Sequence, residues 1–478
     1  MYYILYIFFF LKIYSKIELK EEKRSLRWSF VIFRHGARTP YNDLDSNFTD
    51  IFGYKWNGKK ELTGIGERQE FMLGIRHRKR YIIDNKLIKE KYDPREIYVI
   101  STDSNRTIIS AQCQLQGLYL NSGNILTQLQ VHNSDPPNNQ SNFSEQKKNL
   151  GNSTLPNNIE ITPIHQFFVK DHTFQLEDQR YCPGLNKTYI ENRERKEIKD
   201  FMEKFIREYG QKLIERMREN IEEKDLKKFY TYKKTLDVFD TIISIYSDGR
   251  NMDKFGSEEE IKKLIDTSYE FLYYDFLGNN SEHNINIGLY SMSPTFEKLI
   301  NWMDLKIKKD KEGDLNYLGY DLPKLVLYSA HDYTVGAFEL FMYAVFNTSI
   351  NFPYYASFAN LELVRFGNGF NENDYVVNYY FDDKFIGGFN YEFFKNKVRE
   401  KLKNSSEIAK FCLFDQGNND KKNSTDDKGN NGGNNIIPIF IIVLLSILSL
   451  VLIVVNIIMW LRGKDERNFE ISGALTEN

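Results

Sequence analysis

Trp28-Ser29-Phe30-Val31-Ile32-Phe33-Arg34-His35-Gly36-Ala37-Arg38-Thr39-Pro40 is the stretch from which the fold of this chain can be read. Its first six residues are a short apolar and β-branched run, of the kind that forms a strand buried on both faces of a parallel sheet. The run stops at Arg34. The loop beyond it carries two guanidiniums and an imidazole within five residues, with Gly36 among them. In an open α/β sheet, ligands bind in the loops beyond the carboxyl ends of the strands. Arginine suits a doubly charged phosphate because its planar fork donates hydrogen bonds in pairs. Gly36, lacking a Cβ, permits close backbone approach.

Working outward, two more runs have the same form. Glu96 to Ile100 ends just before Ser101-Thr102-Asp103-Ser104-Asn105-Arg106-Thr107, and Lys324 to Ala330 ends just before His331-Asp332. Alone, the first of these loops reads as a helix N-cap and the second as a paired polar contact. Three strand-end loops together supply an anion hole with a nucleophile and an acid. Arg34, Arg38 and Arg106 would hold phosphate oxygens and stabilise the charge spread over them in the transition state. The surrounding guanidiniums disfavour imidazolium, so His35 would stay neutral well into acid and could attack phosphorus. His331 would add a donor, and Asp332 would protonate the leaving oxygen.

The rest of the chain reads as an α/β core interrupted by helices. Residues 63–80 have helical apolar spacing with Thr63 as N-cap. Patterns at 198–217, 235–246, 258–277 and 294–308 repeat it, and 195–315 reads as a helical cap inserted between core parts 21–194 and 316–413. Residues 132–158 are polar and read as a surface loop, and 414–435 as a flexible linker. His77, in the basic run His77-Arg78-Lys79-Arg80, reads as part of a solvated helix face. His132 and His283 read as loop residues. His165 could line the pocket, and His165 and His172 lack compact metal-ligand spacing.

The two ends carry targeting signals. The apolar stretch Tyr2 to Leu11 is too short to span a bilayer and fits the core of a signal peptide, so residues 1–20 are expected to be one. Residues 436–461 hold no charge and, as a helix, extend ~39 Å, enough to cross a bilayer core of ~30 Å with some tilt. Residues 462–478 would then be a cytosolic tail. The predicted arrangement is a single-pass type I membrane protein whose catalytic body is lumenal or extracellular. N-x-S/T sites at Asn47, Asn105, Asn139, Asn142, Asn152, Asn186, Asn279, Asn347, Asn404 and Asn423 all precede the span, as expected of a glycoprotein.

Composition closes several alternatives. Sixty-four Lys and Arg against 66 Asp and Glu give a formal net charge of −2, so no basic excess exists to hold nucleic acid. Hydrophobic residues at 41% and aromatics at 15% argue for a packed protein. Three cysteines cannot make a four-cysteine zinc site. No nucleotide-binding glycine pattern is present. Neither a metal nor a cofactor is expected, and the partners are a phosphomonoester substrate and membrane lipid.

These residues resemble the histidine acid phosphatases, the branch of the histidine phosphatase superfamily that contains the prostatic and lysosomal acid phosphatases. Arg34 to Pro40 looks like the family's phosphate-pocket signature. Residues 62–81, 101–111 and 325–335 look like family blocks in the family order, and Tyr355 to Leu363 is similar to a late family segment. The resemblance implies His35 as nucleophile and Asp332 as proton donor, with phosphate contacts from Arg34, Arg38, Arg106 and His331. It implies a phosphoglycerate-mutase-like α/β core with a helical cap and no metal, and leaves a homodimer open. Cys182 and Cys412 resemble a family disulfide pair, and Cys113 would be a buried free thiol. The alternatives are a phytase-like or otherwise specialised phosphatase of the same superfamily, and a catalytically inactive surface-binding protein on this scaffold. A phosphomutase is disfavoured, because Ala37 and Arg38 follow the Arg-His-Gly where such enzymes place an acid.

Overall fold

A computed structural model describes residues 24–41, 54–134, 143–167, 182–205, 207–208, 232–276, 282–312, 322–367 and 369–413. The chain divides into two units, Met1–Gln416 and Gly417–Asn478, and the second lies wholly outside the described residues. So do the expected signal peptide, linker, span and tail. Among the described residues no helix is long and apolar enough to cross a membrane.

In chain order the main elements are β1 (Ser25–Arg34), α1 (Gly64–His77), β2 (Ile97–Thr102), α2 (Asn105–Leu118), β3 (His165–Phe167), α3 (Pro183–Arg193) and α4 (Lys196–Phe205). There follow α5 (Tyr232–Ser247), α6 (Glu258–Phe276), α7 (Glu282–Glu312), β4 (Leu325–Ala330), α8 (Asp332–Phe346) and β5 (Phe358–Arg365). The last elements are β6 (Tyr375–Phe381), β7 (Lys384–Asn390), α9 (Tyr391–Lys401) and α10 (Ser405–Leu413). The strands form one sheet in the order β3-β2-β4-β1-β5-β6-β7. Its first four strands are parallel and its last three antiparallel.

Alternation along β1 shows why it is central. Trp28, Phe30 and Ile32 enter one buried cluster with Phe296 of α7 and Phe338 of α8, whereas Val31 and Phe33 enter another with Leu73 of α1 and Leu115 of α2. Successive side chains point to opposite faces. Both faces are covered, so the run has to be apolar throughout. A third cluster is built on Phe239 and Ile242 of α5, Phe271 of α6 and Trp56.

The register of β1 and its neighbours brings the site together. Arg34 pairs with Ala330, Ser101 with Ser329, and Phe33 with Phe358. The carboxyl ends of β1, β2 and β4 therefore finish at one level, and β5, running the other way, begins there.

Several local expectations need correction. His77 is 1% exposed, not on a solvated face; it packs on the rings of Tyr81 and Phe358 at 5.6 and 4.9 Å. The 132–158 stretch is not all loop: His132 ends a one-turn helix, and Ser144–Leu150 is helical. His283 lies in α7, not in a loop. His165 stacks on Tyr98 at 4.7 Å, on edge strand β3. His172 lies outside the described residues.

A disulfide joins Cys182, just before α3, to Cys412 in α10, 230 residues later. Cys113 is free and only partly buried, and burial pushes its thiol up to about 12.

Candidate active site

Arg34 is the last residue of β1, and its side chain is 2% exposed. A charge this deep needs partners, since an unpaired buried charge is costly; its terminal nitrogens have them, and its Nε has none among the described residues. Arg34 donates to the carbonyl of Pro353 at 3.0 Å, meets the Asp332 carboxylate at 2.7 Å and lies 4.1 Å from the centre of the Tyr355 ring.

His35 comes next and is 2% exposed. Its backbone N–H donates to the carbonyl of Ala330, which stitches the β1 and β4 ends together at 3.0 Å. Its Nδ1 lies 2.8 Å from the carbonyl of Gly36. A carbonyl only accepts, so Nδ1 carries the proton and the free lone pair is on Nε2. Burial, then the charges of Arg106, Arg34 and Arg38, hold the His35 pKa well below the usual imidazole range. The ring is thus neutral and has its nucleophilic nitrogen fixed.

Gly36 does permit a close approach, but to protein. A Cβ there would run into the backbone of Gly66, in the first turn of α1. Thr63 caps that turn by accepting from the Gly66 N–H at 3.2 Å, as its position predicts. From the second turn, Gln69 accepts the Ala37 N–H at 2.8 Å.

Arg38 reaches a partner that sequence reasoning did not supply. Asp240 of α5 accepts from both its terminal nitrogens, at 3.1 and 2.7 Å, and also from the Tyr41 N–H at 2.6 Å. An Arg–carboxylate fork of this kind fixes orientation as well as charge. The one signal for it was a pair of acids, Asp237 and Asp240, inside the otherwise apolar run Leu236 to Ile245.

Arg106, in the first turn of α2, meets His331, just before α8. Arg106 Nη2 is 3.1 Å from His331 Nδ1. The other ring nitrogen is 3.0 Å from Thr102 Oγ1, which is itself 2.9 Å from Thr107 Oγ1. Arginine can only donate, so His331 accepts on Nδ1 and passes its Nε2–H to Thr102. Burial, then the charge of Arg38, lowers the Arg106 pKa, and burial with the three guanidiniums lowers that of His331. The rings of His35 and His331 are 5.6 Å apart. Asp332 opens α8, where its Oδ1 accepts the Tyr333 N–H at 2.9 Å.

The structure thus brings His35, Arg34, Arg38, Arg106, His331 and Asp332 into one connected cluster. It adds Asp240 and Tyr355, to which no role was assigned from sequence. Cys182 and Cys412 are apart from it, in the disulfide.

A family model described as histidine phosphatase superfamily (branch 2) matches residues 25–382. Among curated proteins, the lysosomal acid phosphatase of Homo sapiens is 24% identical over 322 residues, 66% of this chain and 63% of that protein. The lysosomal acid phosphatase of Xenopus laevis is 37% identical over 109 residues, covering 22% of this chain and 24% of its own length. The prostatic acid phosphatase of Homo sapiens is 37% identical over 98 residues, 20% of this chain and 24% of its own. The chain therefore spans less than two thirds of the length of these relatives. A solved structure of Hafnia alvei phytase in complex with myo-inositol hexakis sulphate covers 80% of this chain and 98% of its own, at a TM-score of 0.50 and 10% identity. That likeness supports the fold.

Proposed function

The chain belongs to the histidine phosphatase superfamily, branch 2, and on that premise we propose that it is an acid phosphatase, hydrolysing phosphate monoesters through a phosphohistidine. The observation that carries this reading is His35. Its Nδ1 is committed to the Gly36 carbonyl, its Nε2 is free, and its pKa is held down. An imidazole so arranged remains a nucleophile at pH values where an ordinary one is protonated.

In the first step the Nε2 lone pair forms a bond to phosphorus, and the bond to the leaving oxygen breaks. Arg34, Arg38 and Arg106 hold the other phosphate oxygens, with His331 behind Arg106. Phosphate arriving at Arg34 takes the place of Asp332 on that guanidinium; the released carboxylate takes up a proton from solvent at acid pH and gives it to the leaving oxygen. In the second step water attacks phosphorus, Asp332 takes the water's proton, and the phosphorus–nitrogen bond breaks with its electrons returning to Nε2. Hydrolysis of p-nitrophenyl phosphate near pH 5, with acid-labile labelled phosphate trapped on His35, is the expected result. Label on another residue would overturn the assignment.

The same reading takes residues 1–20 as a signal peptide, 195–315 as a cap on the core, 436–461 as a membrane span and 462–478 as a cytosolic tail. The catalytic body would be lumenal or extracellular, in the endomembrane system or at the cell surface. The Cys182–Cys412 disulfide supports this, because such bonds persist outside the reducing cytosol. Protease added to sealed membrane vesicles should spare the catalytic body and remove the tail; the reverse would invert the topology.

A further inference from the structure

A groove of about 460 Å³ lies behind the nucleophile loop, between α1 and the segment that leads into β5. Its volume is within the range of small-molecule sites. Ile65, Met72, Leu73 and Ala356 form an apolar wall, with Arg68, Arg76 and Tyr355 beside them and the Asp382 carboxylate, which accepts from the Ser357 hydroxyl and the Phe358 N–H, at its edge. Ile65 and Met72 are 41% and 55% exposed, seven residues apart and so on one face of α1. Arg76 is committed to Asp383. Arg68 makes no ion pair or side-chain hydrogen bond among the described residues, which leaves one guanidinium free for a ligand.

Both walls hold the catalytic loop directly. On one side the Arg34 N–H donates to the Ser357 carbonyl at 2.9 Å, and the Ala356 N–H donates to the His35 carbonyl at 3.2 Å. On the other, Gln69 holds the Ala37 N–H. Ala356 has φ 59°, the left-handed region that an alanine adopts at a cost. A ligand packed on Ala356 favours the conformer it touches, and hence the arrangement that presents Arg34 and His35.

The geometry points to this groove as a binding site for a small amphipathic monoanion, an aryl or short acyl carboxylate, whose occupancy strengthens phosphate binding at the neighbouring catalytic loop. One free guanidinium matches one carboxylate, and the apolar wall matches the body of the ligand. The groove shares Tyr355 with the catalytic cluster, but none of Arg34, His35, Arg38, Arg106, His331 and Asp332 lines it. Only the coupling rests on the phosphatase reading.

The test is calorimetric titration of the full-length chain in detergent with 2-naphthoate, with and without saturating inorganic phosphate, against a detergent blank. One site is expected. Phosphate should tighten naphthoate about fivefold, and naphthoate should tighten phosphate equally, since coupling between sites is reciprocal. Arg68→Glu and Met72→Glu should each weaken naphthoate more than tenfold and leave turnover of p-nitrophenyl phosphate in its absence unchanged. Displacement of naphthoate by phosphate would overturn the proposal, and so would undiminished binding by Arg68→Glu or no binding to the parent chain. Binding that ignores phosphate would overturn the coupling. A chain that binds naphthoate yet turns over no phosphate ester would instead strike the phosphatase reading.

Discussion

The loop around His35 and the stretch of α1 around His77 each bury an imidazole almost completely, at 2% and 1% exposure, and in each burial is the largest cause of a lowered pKa. Their surroundings differ. His35 sits at a strand's carboxyl end, has one nitrogen tied to a carbonyl, and is faced by three guanidiniums. His77 is wedged between aromatic rings, among residues that pack α1 onto the sheet. A depressed histidine pKa by itself therefore does not mark a reactive site here. What marks one is a fixed tautomer with convergent positive charge on its open side.

Exchanging the two histidines for alanine is the most direct way to break that contrast. His35→Ala should lower kcat by several orders of magnitude with little change in Tm, because no neighbour offers the two-step path. His77→Ala should do the reverse, lowering Tm through the lost packing and leaving kcat within a few fold. Steady-state kinetics and thermal unfolding of both variants check it. Equal kinetic losses would erase the distinction.

Asp332→Asn should slow turnover by ~10²–10⁴-fold for alkyl phosphates and much less for p-nitrophenyl phosphate, whose leaving oxygen needs little help from an acid. A leaving-group series measures this, and a flat series would remove Asp332 as proton donor.

Asp240→Asn keeps the shape of the Arg38 partner and removes its charge. A loss of about 10- to 100-fold in kcat/KM is expected, since a displaced binding group commonly costs that much. Because Asp240 steers Arg38 and does not meet phosphorus, the loss should be similar across the same leaving-group series.

A last effect concerns stability against pH and leaves the chemistry untouched. His77 titrates at about 4 in the folded chain, against 6.5 ordinarily. The unfolded chain therefore binds a proton below pH 6.5 that the folded chain refuses. This contribution to stability is complete above 6.5 and is lost as the pH falls toward 4, by about 3 kcal/mol at most. His77→Phe should flatten Tm against pH in that window. Glu339, which burial pushes up to about 8, acts in the opposite sense. Its contribution is complete below the ordinary value of 4.5 and is lost as the pH rises through 8, so Glu339→Gln should flatten the neutral side. Unfolding curves between pH 4 and 8 read both.

The comparison also explains what the sequence could disclose. β1, β2 and β4 are legible because strands buried on both faces need unbroken apolar runs, and the polar loops at their ends stand out against them. The cluster of Arg34, His35, Arg38, Arg106, His331 and Asp332 follows from aligning those ends. His77 was misplaced because the charges after it in Arg78-Lys79-Arg80 suggest solvent, while spacing within α1 puts it on the face that meets Phe358. Asp240 was hidden for a different reason. It is 202 residues from Arg38, and of the two acids in that helix, Asp237 and Asp240, nothing in the sequence says which one meets an arginine. Tyr355 and Ala356 reach the site only because β5 runs antiparallel to β1, which no local pattern states.

The disulfide has a mechanical consequence. Cys412 lies one residue before the described chain stops, and it is tied to Cys182 at the start of α3. Tension arriving through the residues that follow Cys412 would enter the body at the Cys182 anchorage as well as through α10. α10 therefore cannot be peeled away from its moorings turn by turn. The covalent link converts an unzipping load into a shearing one, shared between two points 230 residues apart in sequence.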